Sequence, residues 1–239
     1  MTILCTICAR GGSKGVTGKN SRLVAGKPLI AHTIDLAVKC DLFDHVVFSS
    51  DCPKLMNIAK NHGANVFFQR DSFLASDSAA KIPAIQDAHL RSRDYFQKTF
   101  SVHFDLDATS PLRTEEDLLN AYELFLSTDS DLTVSGMRAR HSPYFDMVEE
   151  NSKGWVQLVK NPEEQVVSRQ TSPVCYELNA SFYIWKSEAL LSGQELFIPK
   201  TSLFEMSPEK SIEIDTEFDL FVVEQVLLGK WDSWRVQNE

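Results

Sequence analysis

Ile3-Leu4-Cys5-Thr6-Ile7-Cys8-Ala9-Arg10-Gly11-Gly12-Ser13-Lys14-Gly15-Val16-Thr17-Gly18-Lys19-Asn20 is an apolar, strand-like run that breaks into a loop with four glycines, two lysines, an arginine and a serine. Glycine lets backbone N–H groups approach a ligand closely and tolerates positive φ. Successive N–H groups in such a turn form an anion-binding nest, and cations beside it add charge-assisted hydrogen bonds. The stretch reads as a phosphate cradle just beyond the carboxyl end of a strand, where open α/β sheets bind their ligands. The plain alternative is a surface loop that is merely rich in glycine and charge. Spacing excludes a Walker loop, because counting back from Gly18-Lys19 puts Ser13 where the first glycine belongs and Asn20 where the metal-holding hydroxyl belongs. A dinucleotide fingerprint is excluded as well, since Gly11-Gly12 break its glycine pattern and Lys14 falls inside it.

Downstream, apolar strand-like runs alternate with helix-like ones, which predicts parallel βαβ units. Strands are expected at 3–8, 46–49, 66–68, 103–106 and 132–135. Helices are expected between them at 28–39, 53–62, 82–96 and 114–126, with Pro28 suited to a first turn and Thr114 to an N-cap followed by acids. From about Met137 to Gln170 helical periodicity stops, and Trp155-Val156-Gln157-Leu158-Val159 suggests a hairpin. Tyr144, Phe145, Met147 and Trp155 are residue types enriched at interface cores, so this insertion is either a dimer arm or a hairpin packed on its own domain. The regular pattern resumes at 181–185 and 212–214 and closes with a helix at 217–228, whose first turn takes Asp219. The expected fold is a Rossmann-like α/β domain spanning 1–239, a mostly parallel sheet with helices on both faces and one insertion.

Composition narrows the partners. A length of 239 residues, 43% hydrophobic and 24% charged, is that of an ordinary globular domain with a sizeable core. The net charge of −9 argues against nucleic acid and makes the cationic loop stand out, because an anion must be attracted there against the global field. Five cysteines, an odd number with Cys5 and Cys8 set inside the first apolar strand as small buried hydrophobes, indicate neither a disulfide framework nor a zinc site, and no histidine has metal-ligand spacing. No signal-peptide pattern or long apolar run is present, so a cytoplasmic protein with no membrane segment is expected. In Ile212-Glu213-Ile214-Asp215 the two acids are spaced to share one face of a strand. They either line a cleft or lie solvated on an amphipathic edge. Asp105 and Asp107 repeat that spacing.

Five stretches then fall in one order: Ala9-Arg10-Gly11-Gly12-Ser13-Lys14-Gly15 with Lys19-Asn20, Leu74-Ala75-Ser76-Asp77, Thr109-Ser110-Pro111-Leu112-Arg113, Asn179-Ala180-Ser181-Phe182-Tyr183-Ile184, and Ile212-Glu213-Ile214-Asp215-Thr216-Glu217-Phe218-Asp219. Together they resemble the cytidylyltransferases that activate sialic acid and related nonulosonic acids. Ile7-Cys8-Ala9-Arg10, Asp105-Leu106-Asp107 and Cys175-Tyr176-Glu177-Leu178-Asn179-Ala180-Ser181 look most like the branch that makes CMP-legionaminic acid. The resemblance implies a homodimer that joins CTP to the anomeric hydroxyl of an acidic nine-carbon sugar, with magnesium, or manganese in its place. It assigns Ala9, Arg10, Gly12, Ser13, Lys14, Lys19, Asn20, Arg70 and Asp77 to the nucleotide, with Asn20 equally able to cap the turn. Asp107, Arg169, Asn179, Tyr183 and Phe197 fall to the sugar, and Arg169 suits its carboxylate. Lys19, Glu213 and Asp215 carry the chemistry, with Asp215 and Glu213 as metal ligands. Two departures stand out: Glu213 replaces the family's aspartate, and Asp107 replaces the glutamine of sialic-acid enzymes, which turns the reading away from sialic acid itself. Ser110 and Arg113 are expected to fix the turn. A nucleotide-binding dimer scaffold without activity is the rival from another class.

Overall fold

The computed structural model describes residues 1–12, 15–76, 79–161, 171–193 and 195–238. Strand β1 (Ile3–Cys8) leads through the glycine loop to a 3-10 turn (Lys19–Ser21), a small hairpin of β2 (Leu23–Val24) and β3 (Lys27–Pro28), and helix α1 (Leu29–Lys39). Then come β4 (His45–Ser49), α2 (Pro53–Asn61), α3 (Lys81–Phe96), β5 (Val102–Leu106), α4 (Glu115–Ser127) and β6 (Leu132–Arg138). A second hairpin, β7 (Val148–Glu150) and β8 (Val156–Leu158), precedes the long β9 (Tyr176–Lys186). Helix α5 (Ser187–Ser192), β10 (Thr201–Glu205), α6 (Glu217–Leu227) and α7 (Lys230–Asn238) complete the chain.

Six strands form one sheet in the order β10-β6-β9-β5-β1-β4. Every neighbouring pair is parallel except the two made by β9, which runs antiparallel to β5 and β6. The central strands β1 and β5 are buried nearly end to end, as expected of strands covered on both faces. Period-2 alternation sorts their side chains. Ile3, Cys5 and Ile7 join Ile34 of α1, Leu55 of α2 and Leu118 of α4 in one core. On the other face, Tyr183 and Trp185 of β9 pack with Ile82 and Ile85 of α3. The α/β sheet with two helical layers is therefore present.

Two expectations change, and one strand was not foreseen. Residues 66–68 form no strand: only Asn65 bridges to Val47, and then Phe67 turns to stack on Tyr95 at 4.0 Å and meet Phe96 edge-on. Aromatic packing, not a ladder, accounts for that apolar run. Residues 212–214 also pair with no strand of the described sheets; Ile214 donates its N–H to the Thr109 carbonyl across the loop after β5. The alternation there came from one side facing the Val16, Leu29 and Leu220 cluster. That strand, β10 at the sheet edge, lacked a clear signal, because all its residues are partly exposed. The expected hairpin is present as β7 and β8, antiparallel and largely exposed. Asp219 sits in the first turn of α6, in a reciprocal capping box with Thr216.

Candidate active site

The site lies beyond the carboxyl ends of β1 and β5. The glycine loop is tied at both ends. Gly11 donates its N–H to Asp51 Oδ1 (2.9 Å), and the carbonyls of Ala9 and Arg10 accept from Arg70 Nη2 and Asn20 Nδ2, each at 3.0 Å. Ala9, Arg10, Gly12, Lys19, Asn20 and Asp107 thereby surround a cleft of about 160 Å³. A second cavity of about 240 Å³ adjoins it, walled by Arg10, Arg70, Lys81 and Asp107. Among the described residues, Arg70 Nε and Asn20 Oδ1 are buried without a hydrogen-bond partner. Buried polar atoms are normally paired, so these two mark one donor and one acceptor in the cleft wall that protein groups do not use. Ser13, Lys14, Asp77 and Arg169 lie outside the described residues.

The carboxylate segment closes onto the loop. The buried Lys19 ammonium bonds the Ile214 carbonyl and pairs with Asp215 Oδ1 at 3.2 Å. Gly15 packs so tightly against this segment that a Cβ there would stand 2.1 Å from the Asp215 carbonyl oxygen. Only glycine allows that approach. The Asp215 side chain is 70% exposed, whereas Glu213 is half-buried. Burial, with the fields of Asp107 and Asp215, raises the Glu213 pKa.

Thr109 links the two acidic pairs. Its N–H and Oγ1 lie 2.9 and 2.8 Å from Asp107 Oδ1, and Oγ1 is also 3.2 Å from Glu213 Oε1. A threonine hydroxyl has a single proton. Burial would push the Asp107 carboxyl up, but the Lys81 ammonium at 2.9 Å and the Thr109 bonds outweigh it and hold the pKa at about 2. The hydroxyl has one proton for the two carboxylates, and ionised Asp107 at 2.8 Å is the nearer acceptor.

The sequence profile of the cytidylyltransferase family matches residues 4–226. The chain belongs to the cytidylyltransferases. Two relatives align over almost their whole length. One is the CMP-N,N'-diacetyllegionaminic acid synthase of Campylobacter jejuni, 43% identical over 93% of each chain. The other is the post-translational flagellin modification protein B of Campylobacter coli, 42% identical over 95% of this chain and 96% of its own. Among solved structures, a CMP:2-keto-3-deoxy-manno-octonic acid synthetase complexed with CTP superposes with a TM-score of 0.69 at 13% identity, covering 96% of this chain and 100% of that one. That likeness supports the α/β nucleotidyltransferase fold.

In this cytidylyltransferase the sequence-expected residues divide. Ala9, Arg10, Gly12, Lys19, Asn20, Arg70 and Asp107 come together, with Glu213 and Asp215 at their side. Tyr183 lies opposite Asp105 in the β5–β9 ladder and lines an apolar cavity of about 280 Å³ with Ile82, Ile85, Trp185 and Leu196. Asn179 is engaged within the protein itself. Its Oδ1 accepts from Ser135 Oγ and Ser181 N–H, and its Nδ2 donates to Ser211 Oγ and Met206 Sδ, so no hydrogen-bonding position remains for a sugar. Phe197 is also displaced: it is 62% exposed, and its neighbour Leu196 faces the cavity instead. Arg113 is buried and holds the turn through Ser181, Thr33 and the Asp107 carbonyl, while Ser110 bonds the Asn179 carbonyl.

Lys81 was missed. Its ammonium sits 2.9 Å from Asp107 and 3.4 Å from Asp105, and 4.6 Å above the Tyr183 ring. The signal was local: a lysine opening a helix with no acid in its first turn opposes the helix dipole, a placement that needs carboxylates from elsewhere.

Proposed function

We propose that this cytidylyltransferase joins CTP to a nonulosonic acid, N,N'-diacetyllegionaminate. The anomeric oxygen attacks the α-phosphorus, and the bond to the β-phosphate breaks to give the CMP-sugar and pyrophosphate. The observation that carries this reading is the closure of the glycine loop onto the carboxylate segment, with Gly15 against the Asp215 carbonyl and Lys19 against its carboxylate. It gathers a phosphate cradle and hard oxygen donors at one point, the two things a triphosphate substrate requires. The 43% identity to a named legionaminate synthase supports the choice of sugar.

Among the described residues Lys19 pairs with Asp215, and incoming phosphate oxygens compete with Asp215 for it. Arg10 and Arg70 line the adjoining cavity and place further positive charge beside the nucleotide. A divalent cation suits the donor set, because Glu213 and Asp215 are carboxylates from one segment and their mutual repulsion contributes to the raised Glu213 pKa. Magnesium held there would neutralise charge on the phosphates and polarise the α-phosphoryl group.

The protein is further proposed to act in the cytoplasm as a homodimer. Val148, Trp155 and Val156 on the β7–β8 hairpin are more than half exposed and supply an apolar face for a second copy. Among the described residues no helix is long and apolar enough to cross a membrane.

The test is pyrophosphate release from CTP and magnesium with a panel of nonulosonic acids, repeated with ATP, GTP and UTP. Release confined to CTP with legionaminate is the expected result. Release with pseudaminate or N-acetylneuraminate keeps the reaction and changes the sugar. Folded protein that binds CTP and releases nothing with any acid points to a scaffold.

A further inference from the structure

We propose that Lys81 is a positioning residue that sets Asp107 as a one-site acceptor for an O–H or N–H donor of the sugar substrate. The proposal rests on the functional reading above and on Asp107 belonging to the sugar side of the cleft.

The hydrogen bonds can be followed atom by atom. A carboxylate offers about four lone-pair positions. On Asp107, Oδ1 accepts both the N–H and the hydroxyl of Thr109, and Oδ2 accepts from Lys81 Nζ. That leaves one position on Oδ2, in a side chain that is 18% exposed and borders both cavities of the cleft. Main-chain contacts immobilise the residue as well, since its carbonyl accepts from Thr33 Oγ1 and from Arg113. Without the Lys81 contact, Oδ2 would have a second open position and the carboxylate could rotate.

Lys81 is in turn held from behind. Asp105 is fully buried, one oxygen 3.4 Å from Lys81 Nζ and the other accepting from Thr6 Oγ1 at 2.8 Å. Thr6 gives its single proton to that carboxylate, so the 2.9 Å contact from His103 Nε2 to Thr6 Oγ1 is donated by the imidazole. His103 Nδ1 then accepts from His89 Nδ1–H at 3.0 Å. The chain of donors runs one way, from His89 through His103 and Thr6 to Asp105. Burial keeps both imidazoles neutral, His103 well below its ordinary pKa and His89 down to about 4. Asp105 thus anchors the ammonium from the core, and the ammonium aims Asp107 into the cleft. The Tyr183 ring 4.6 Å from Nζ limits the remaining freedom of the side chain.

The experiment compares steady-state kinetics of the full chain, wild type against K81M, K81R, D107N and K81M/D107N, varying CTP and the nonulosonic acid separately. K81M should raise KM for the sugar about tenfold while leaving KM for CTP within about twofold, the split expected of a lost substrate-side contact. K81R should recover most of that loss, because it keeps the cation. In the D107N background, adding K81M should change the sugar KM by less than about twofold, since the two residues act as one unit. Independent multiplication of the two effects, or a K81M effect confined to CTP, overturns the proposal. Where K81M fails to fold, D105N/K81M removes the buried charge together with its cation and carries the same comparison. A wild-type enzyme that releases no pyrophosphate with any nonulosonic acid defeats the functional reading and this proposal together. An active wild type with a coupling-free cycle defeats the proposal alone.

Discussion

Two acidic pairs with the same spacing, Asp105/Asp107 and Glu213/Asp215, have opposite surroundings. The first grows out of a central strand, is buried, and has Lys81 between its carboxylates. The second lies on an irregular segment outside the sheet, with Asp215 mostly exposed and Lys19 reaching it from a loop. In the first pair the fold supplies the counter-charge, which holds Asp107 ionised as an acceptor although burial raises the pKa of Asp105. In the second, Glu213 makes no ion pair among the described residues and its pKa is raised by burial and by Asp107 and Asp215, and it is here that the proposed divalent cation would sit. Spacing puts acids on one face; the groups around them decide what they are for.

The largest expected effect tests the second pair. Asp215→Ala should lower kcat by about 10²–10³-fold, the scale seen when a group that stabilises developing charge is lost. Its thermal midpoint should move by no more than about 2 °C, because the side chain is mostly exposed. Steady-state kinetics with a melting curve checks both, and an unimpaired variant would remove the distinction between the pairs. Next in size is Gly15→Ala, which forces the loop off the Asp215 carbonyl. A drop in kcat/KM of about 10–100-fold follows from displacing the cradle by an ångström or so. A fully active Gly15→Ala enzyme would mean that loop closure is not needed for turnover.

The smallest effect sharpens the first pair. The folded pKa of Asp107, about 2, lies below the unfolded carboxylate value near 3.9, so protons bind the unfolded chain more readily. The ionised residue therefore stabilises the fold by about 2–3 kcal/mol above roughly pH 5, and the contribution fades as pH falls toward 2. Urea unfolding of wild type and Asp107→Asn across that range should show their stability difference shrinking on acidification. A difference independent of pH would show that the ion pair with Lys81 adds nothing.

Much of this was readable in the chain. Strands β1, β4, β5 and β6 announce themselves because strands packed into the sheet are rich in apolar residues. The glycine loop was readable because close backbone approach demands glycine, and Gly15 meets that demand. Other features depend on partners far away in the sequence. Phe67 and Phe68 carry a strand-like composition, but their rings pack on α3 and its surroundings instead of pairing in a ladder. Asn179 lies at the place the family resemblance indicates, yet Ser135, Ser211 and Met206 occupy its amide. Lys81 is 26 residues from Asp107 in sequence, and only the packing of α3 against the sheet makes them neighbours.

The reversal of β9 has an architectural consequence. A strand running against its neighbours starts where they finish, and the first residues of β9 pair with Gly136, Met137 and Arg138 at the end of β6. The exposed hairpin that leads into it is therefore rooted on the same rim of the sheet as the cleft. In the proposed homodimer a second subunit gripping that hairpin would stand on the rim that holds the cleft, and one backward strand would let assembly and chemistry share a threshold.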